Sequence, residues 1–438
     1  MSRRGWRLDI RHGRCRIAEV ERTPGIAGLL FRYGTTENGN IEKKAHIYTQ
    51  EEHGIDPRLV DPDALWVIKR LRNARFHAYV VGGAVRDLLV GRTPKDFDIA
   101  TDAHPLQIKR LFRSARVIGR RFRLVHVYCA REKYIEVSTF RSRVAVATTG
   151  DGVHPDANNY YGTMEEDAER RDFTINALYY CPIDRHLIDY VEAFPDLRQR
   201  RLRTLGRAET SFAEDPVRMI RAVKYASLLG FPFPLSLAGL VRRMRESILS
   251  CSRERVTEEV FKILTSGSAT GILELANRLR LFEIIFPAHA KHLRESRLRL
   301  SDPPLGVRLE ELDADAAAGK PLDRSDMFGF LFSDLALERK DLLEDPDPEF
   351  LLQQFIRTAS EPLFPSRKDL AVAAQSILNV VRPHRRARAL RAPASQKPPS
   401  AAQGPHEAGA APTKRRRRRG RGRRGGAGKG PAALGPAL

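Results

Sequence analysis

Between residues 64 and 75 the segment ALWVIKRLRNAR sets Leu65, Ile68 and Leu71 at helical spacing, with Val67 on the flank, which predicts an amphipathic helix. The period then collapses into a short apolar run, AYVVG, that reads as a buried strand ended by Gly82-Gly83; AVRDLLVG predicts a helical turn or two closed by Gly91. FDIAT (97–101) predicts a second strand. DAHPLQIKRLFRSA predicts a helix capped at Asp102 or Ala103, with Pro105 in its first turn. FRLVHVYCA and KYIEVSTF, around 122–130 and 133–140, alternate on either side of a short polar break, the pattern of an antiparallel hairpin. Residues 141–163 have no period and many turn formers and read as a mobile loop. The pattern then turns helical in MEEDAERRDFTINALYY, AEDPVRMIRAVKYASLLGF, RVTEEVFKILTS and ATGILELANRLRLFEIIFP, and stays helical, with weaker periodicity, to about residue 381.

These periods predict an α+β fold: a small mixed sheet with helices, followed by an all-α region. The expected divisions are a disordered extension over 1–52, a mixed head over 53–205, a helical neck over 206–270, a helical body over 271–381 and a disordered basic tail over 382–438. A length of 438 residues suits two or three domains. No apolar run approaches the ~20 residues that cross a bilayer, and MSRRGWRLDIRHGRCR lacks the apolar stretch of a secretory signal. Cys15, Cys129, Cys181 and Cys251 lie far apart with no CxxC spacing, which argues against a cysteine zinc site and for a reducing cytoplasm.

Charge sharpens the division. The net charge is +22. From Arg382 to Leu438 there are sixteen Lys and Arg against one acidic residue, Glu407, so this segment carries +15 and residues 1–381 carry 22 − 15 = +7. Both values point to a polyanionic partner, and the KRRRRRGRGRRGG run at 414–426 points there most strongly.

The candidate chemistry centres on VVGGAVRDLLVGRTPKDFDIATD (80–102). In an extended segment residues i and i+2 share a face, so Asp96 and Asp98 would project together while Phe97 enters the core. Two converging carboxylates repel unless solvent or a cation separates them, and Mg²⁺ takes such hard oxygen ligands together with substrate phosphates. Alone, a D-x-D is more often a solvated turn. Here it follows Gly82-Gly83 and Arg86, and a glycine pair between strand and helix lets backbone approach a phosphate. Glu136 in EVST would lie on a strand beside the D-x-D strand as a third carboxylate. Arg171 and Asp172 fall near the start or middle of the expected 164–180 helix. Asp215 and Pro216 form a helix start, and Arg218, Arg221 and Lys224 recur on one face of that helix. A surface position for Glu136, a structural salt bridge for Asp172 and a solvated basic face for the three cations are the plain alternatives.

GGAVRD, KDFDIATDA, RRDFTINALYY and EDPVRMIRAVKYA, in that order, resemble the nucleotidyltransferase superfamily related to DNA polymerase beta. More narrowly, they resemble the class II group of bacterial tRNA CCA-adding enzymes and poly(A) polymerases, over roughly residues 62–265. The resemblance implies a polymerase beta-like head and template-independent transfer of AMP from ATP to RNA 3′ ends. It implies two Mg²⁺ ions held by Asp96 and Asp98, and Asp172 as third catalytic carboxylate with Glu136 as competitor. Gly82, Gly83, Arg86 and Arg171 would contact the nucleotide, Asp215 and Arg218 would pair with its base, and Arg221 would lie nearby. VIGRRFRLVHV (117–127) and the arginine-rich tail resemble the poly(A) branch, which leaves CCA addition as the alternative and a non-catalytic RNA-binding protein as the alternative of another class. Ala84 and Glu192-Ala193 stand where glycines are common in the family, and no histidine is followed by Asp as in a metal-dependent HD phosphohydrolase.

Overall fold

The computed structural model describes residues 30–35, 41–119, 123–130, 133–142, 161–320 and 322–391. Of the loop expected over 141–163, residues 143–160 lie outside the described residues, as do 392–438 of the tail expected over 382–438 and 1–29 and 36–40 of the expected extension; residues 382–391, expected to be disordered, are the end of the Arg367–Arg391 helix. Residues up to His384 form one compact unit, and Arg385–Leu438 are a second.

The α+β reading holds. Among the described residues nine strands form one sheet: β1 (Leu30–Thr35), β2 (Ile41–Tyr48), β3 (Ala78–Val81), β4 (Asp98–Thr101), β5 (Ala115–Ile118), β6 (Leu124–Tyr128), β7 (Tyr134–Thr139), β8 (Leu178–Cys181) and β9 (His186–Asp189). Their order is β1-β2-β9-β8-β3-β4-β7-β6-β5. Among these described strands β4 and β7 run parallel and every other neighbouring pair is antiparallel. Helices occupy the rest of the compact unit, from Ala193–Arg198 onward without a further strand among the described residues.

Alternation decides which face each strand buries. Val80, Ile99, Val125, Val127, Ile135 and Val137 point into one core with Val67, Ile68 and Leu71 of the Pro62–Asn73 helix. That helix starts where Asp61 accepts hydrogen bonds from Asp63 N (2.8 Å) and Ala64 N (3.3 Å), with Pro62 as its first residue. On the other face Tyr79, Val81, Ala100 and Tyr179 join Met164 and Ala168 in a second, smaller cluster. The β5–β6–β7 hairpins keep polar and aromatic residues on that face instead.

Four further expectations are corrected. The stretch 1–52 contains β1 and β2, so 30–35 and 41–48 are ordered parts of the sheet; IEKKAHIY is polar because β2 lies near the sheet edge. The 164–180 segment is not one helix. It is a helix over Met164–Glu169, a 3₁₀ turn over Thr174–Asn176 and then β8, whose four residues are all buried between β3 and β9. The helix after β4 starts at Pro105 with His104 as cap, while the Asp102 carboxylate accepts from His77 N (2.8 Å). The long helix is Val217–Leu229, one residue later than expected: Pro216 sits at its cap, and the Asp215 side chain is turned to Arg255.

The residues that stand where the resembled family commonly has glycines are accommodated differently. Ala84 is buried in the larger core, so its methyl fills space. Glu192 adopts φ +60°, a left-handed conformation that costs an L residue about 1–2 kcal/mol. Glu192→Gly should therefore stabilise the fold by about 0.5–1 kcal/mol after the entropy cost of glycine, as a measurable rise in denaturation midpoint.

Candidate active site

Three adjacent strand ends converge at the D-x-D. β3 pairs with β4 so that Val81 faces Asp98, which brings the Gly82 turn beside the start of β4. β4 pairs in parallel with β7 with Ile99 beside Val137, so Asp98 has Glu136 as its neighbour on the same face. Gly82 caps the Gly83–Leu89 helix with φ +71°, a conformation that L side chains avoid. A Cβ there would also stand 3.4 Å from Arg171 Nη1. Asp96 precedes the strand and Phe97 packs against the larger core, as expected.

The charges show what this convergence costs. Asp98 touches solvent but is crowded by protein on its other sides. Desolvation, then Glu136 and Asp96, push its carboxyl up to about 6, against the pull of Arg171 and Lys262. Glu136 is raised as well, first by burial and then by Asp96, while Arg141 and Lys262 oppose the rise. Asp96 and Glu136 thus share one mouth with Asp98, and their charges disfavour its ionised form. Among the described residues no group of three or more His, Cys, Asp or Glu stands close enough to hold a metal ion as placed. The donor set itself fits a divalent cation with hard-oxygen preference, whose charge would relieve the mutual repulsion.

Asp172 is held by its own set of neighbours. Its Oδ1 accepts from Phe173 N (2.9 Å) and Asn176 Nδ2 (3.2 Å). Its Oδ2 stands 2.7 Å from Arg221 Nε, a charge contact whose N–H is not aimed along the line. Arg221 also stands 3.8 Å from Glu259 and donates to Tyr225 Oη (3.0 Å), and Lys224 Nζ lies 2.5 Å from Glu259. Asp172, Arg221, Glu259 and Lys224 therefore bind the sheet side of the molecule to the Val217–Leu229 and Arg253–Leu264 helices. The basic face is not a solvated one.

Arg86 also points inward. It is 5% exposed, donates to Asn176 Oδ1 (2.7 Å), pairs with Asp87 (2.8 Å) and lies over the Tyr225 ring at 4.9 Å. Arg171 donates to Asp167 Oδ2 (3.0 Å) and to the Asn176 carbonyl (3.1 Å), and its buried Nε has no hydrogen-bond partner. Arg171 thus stands beside Gly82, while Arg86, whose Nη2 would lie 3.5 Å from a Cβ on Gly83, shares Asn176 with it. Asp215 is held by Arg255 at 2.7 Å on Oδ2, while its buried Oδ1 has no hydrogen-bond partner. Arg218 rests on Ser211 Oγ (2.7 Å) and Glu214 (3.6 Å).

Residues 78–203 match the family model for the poly A polymerase head domain, and residues 230–293 the one for a probable RNA and SrmB-binding site of polymerase A. Poly(A) polymerase I of Escherichia coli O6:H1 is 39% identical over 273 residues, covering 61% of this chain and 58% of that one. Poly(A) polymerase I of Haemophilus influenzae is 35% identical over 298 residues, 66% of each chain. The CCA-adding enzyme of Lactobacillus gasseri is 38% identical over 200 residues, 46% of this chain and 49% of that one. The chain belongs to the family of bacterial poly(A) polymerases and CCA-adding enzymes. It spans less than two thirds of the length of the curated relatives it matches.

In this family member the pattern along the chain did not single out Asn176, Arg255, Glu259 or Lys262. The last three lie on the Arg253–Leu264 helix, whose sequence reads as an ordinary amphipathic helix. Their arrangement depends on how that helix packs beside Val217–Leu229. A cavity of about 740 Å³ lies at the far end of Val217–Leu229, lined by Arg200, Arg242 and Arg278 among apolar residues such as Phe231 and Leu275. It overlaps the 230–293 match and not the carboxylate mouth. No helix among the described residues is long and apolar enough to cross a membrane.

Proposed function

We propose that this protein is a cytoplasmic, template-independent polynucleotide adenylyltransferase that transfers AMP from ATP to RNA 3′ ends. The observation that carries the reading is the meeting of Asp96, Asp98 and Glu136 beside the Gly82 turn, in a chain whose residues 78–203 match a poly(A) polymerase head. Asp96 and Asp98, joined by Glu136, would hold two Mg²⁺ ions. When bound, these would favour deprotonation of the RNA 3′-hydroxyl and neutralise the triphosphate. Gly82 and Gly83 let backbone approach the phosphates, with Arg171 beside them and Lys262 adding positive charge from the neighbouring helix. The 3′-oxygen bonds to the α-phosphorus as pyrophosphate leaves. Asp215 Oδ1, buried and without a partner, suits an adenine amino group, and Arg218 supplies donors beside it. Arg86, Asp172 and Arg221 position this set rather than touch the reacting atoms.

Arg255→Ala would free Asp215 to turn away. It should cut discrimination for ATP over UTP by about tenfold, the worth of one hydrogen bond to a charged group, because uracil presents a carbonyl oxygen where adenine presents its amino group, with less effect on total RNA binding. Steady-state measurements with each nucleotide check this.

The basic tail would hold RNA by its phosphates. Removing 392–438 takes away eleven of the sixteen Lys and Arg found after 381. It should weaken RNA binding and flatten its salt dependence by about 0.7 in log–log slope for each lost phosphate contact. A binding titration at several salt concentrations reads both effects.

The identity to CCA-adding enzymes favours CCA addition to tRNA as the second reading. A generic RNA and a tRNA lacking its CCA end, each given Mg²⁺, ATP and CTP, separate the two. Long A-rich tails on both support adenylation. Arrest after C, C and A on the tRNA alone assigns CCA addition. Failure to extend either would leave a non-catalytic RNA-binding protein.

A further inference from the structure

The face of the sheet that carries Asp98 and Glu136 continues across β7, β6 and β5. Cross-strand register sets Arg116 beside His126 and His126 beside Glu136. With Asp98 next to Glu136, one row runs straight from an exposed arginine to the carboxylate mouth, about 14 Å over three strand spacings. The next row places Tyr128 beside Tyr134. The His126 and Tyr134 rings are stacked, 3.9 Å between centroids and 11° between planes. Tyr128 lies 5.9 Å from Tyr134, and the Arg116 guanidinium lies 5.6 Å over Tyr128. Tyr134 keeps 46% of its surface exposed. On the opposite face Val125, Val127, Ile135 and Val137 are buried, so the surface rests on a packed core.

We propose that Arg116, His126, Tyr128 and Tyr134 form a stacking platform for the last nucleotides of a single-stranded RNA, leading its 3′ end to Glu136 and Asp98. Flat rings on a rigid sheet, edged by a guanidinium, are what unpaired bases and their phosphates need. Stacking accepts any base, as an enzyme acting on varied 3′ ends requires. The platform is continuous with the carboxylates, which favours RNA over a protein partner. The inference rests on the adenylyltransferase reading for its purpose, but its binding test does not need catalysis.

The test uses the full chain and a short RNA with 2-aminopurine next to its 3′ end, at salt that suppresses phosphate-only binding. Wild type should quench the 2-aminopurine. Tyr134→Ala should lose the quench and weaken RNA binding about tenfold, with KM for ATP unchanged. Tyr134→Phe should restore both. Arg116→Ala should weaken binding without removing the quench. Unchanged quench and affinity in Tyr134→Ala would overturn the platform, and so would a rise in KM for ATP without loss of RNA affinity, which would make it a nucleotide site. A fall in melting temperature in Tyr134→Ala with RNA binding intact would show a structural stack only. If wild type adds no nucleotide, the activity reading fails, and the quench still decides the platform.

Discussion

Asp98→Ala should lower nucleotide transfer by about a thousandfold or more while leaving RNA affinity within a small factor of wild type. Metal-ion stabilisation of transition-state charge is worth several kcal/mol, and each ~1.4 kcal/mol is a factor of ten. Asp98 opens β4 with its carboxylate toward solvent and the crowded mouth, while Ile99 and Ala100 carry the strand's packing. Alanine there removes one of three mutually repelling charges, since Asp98 is pushed up to about 6 by burial, Glu136 and Asp96. At neutral pH the variant should thus melt no lower than the metal-free wild type. Transfer rates, an RNA titration and a thermal scan on one preparation check the three parts. Transfer near the wild-type rate would remove Asp98 from the site.

The second large effect separates the two candidates for third carboxylate. Glu136→Gln should cost activity with little change in stability, because Glu136 belongs to the mouth. Asp172→Ala should lower stability by about 2 kcal/mol, because it strips a mostly buried ion pair and leaves Arg221 facing Glu259 alone. The figure sits below that for a fully buried pair because Arg221 is one-third exposed. Activity of Asp172→Ala should fall through displacement of the Val217–Leu229 helix, raising KM for ATP, and Asp172→Asn should recover much of the stability. A Glu136→Gln variant with full activity, paired with a stable but inactive Asp172→Asn, would reverse the assignment.

What was legible in the sequence was local. The buried run AYVV, the glycine pair and the alternation in LVHVY and YIEVST report their own strands, and the D-x-D reports its own convergence. The rest depended on pairings far apart in the chain. LYYC is buried on both faces, so it has no two-residue period and reads as a continuation of the preceding helix. β2 is polar because it lies near a sheet edge. Asp172 ranks ahead of Glu136 by motif order alone, because the pattern does not show that β7 lies parallel to β4 or that Arg221 reaches back to Asp172. Arg86 looked like a phosphate ligand by position, and only its contacts with Asn176 and Tyr225 turn it inward.

The most direct measurement is extension of a 5′-labelled unstructured RNA by the purified full chain with Mg²⁺ and one nucleoside triphosphate at a time. ATP alone should build a long ladder of untemplated additions, with CTP, GTP and UTP adding little. No extension with any nucleotide, or equal extension with all four, would contradict an ATP-selective transfer site built from Asp96, Asp98, Glu136 and Asp215.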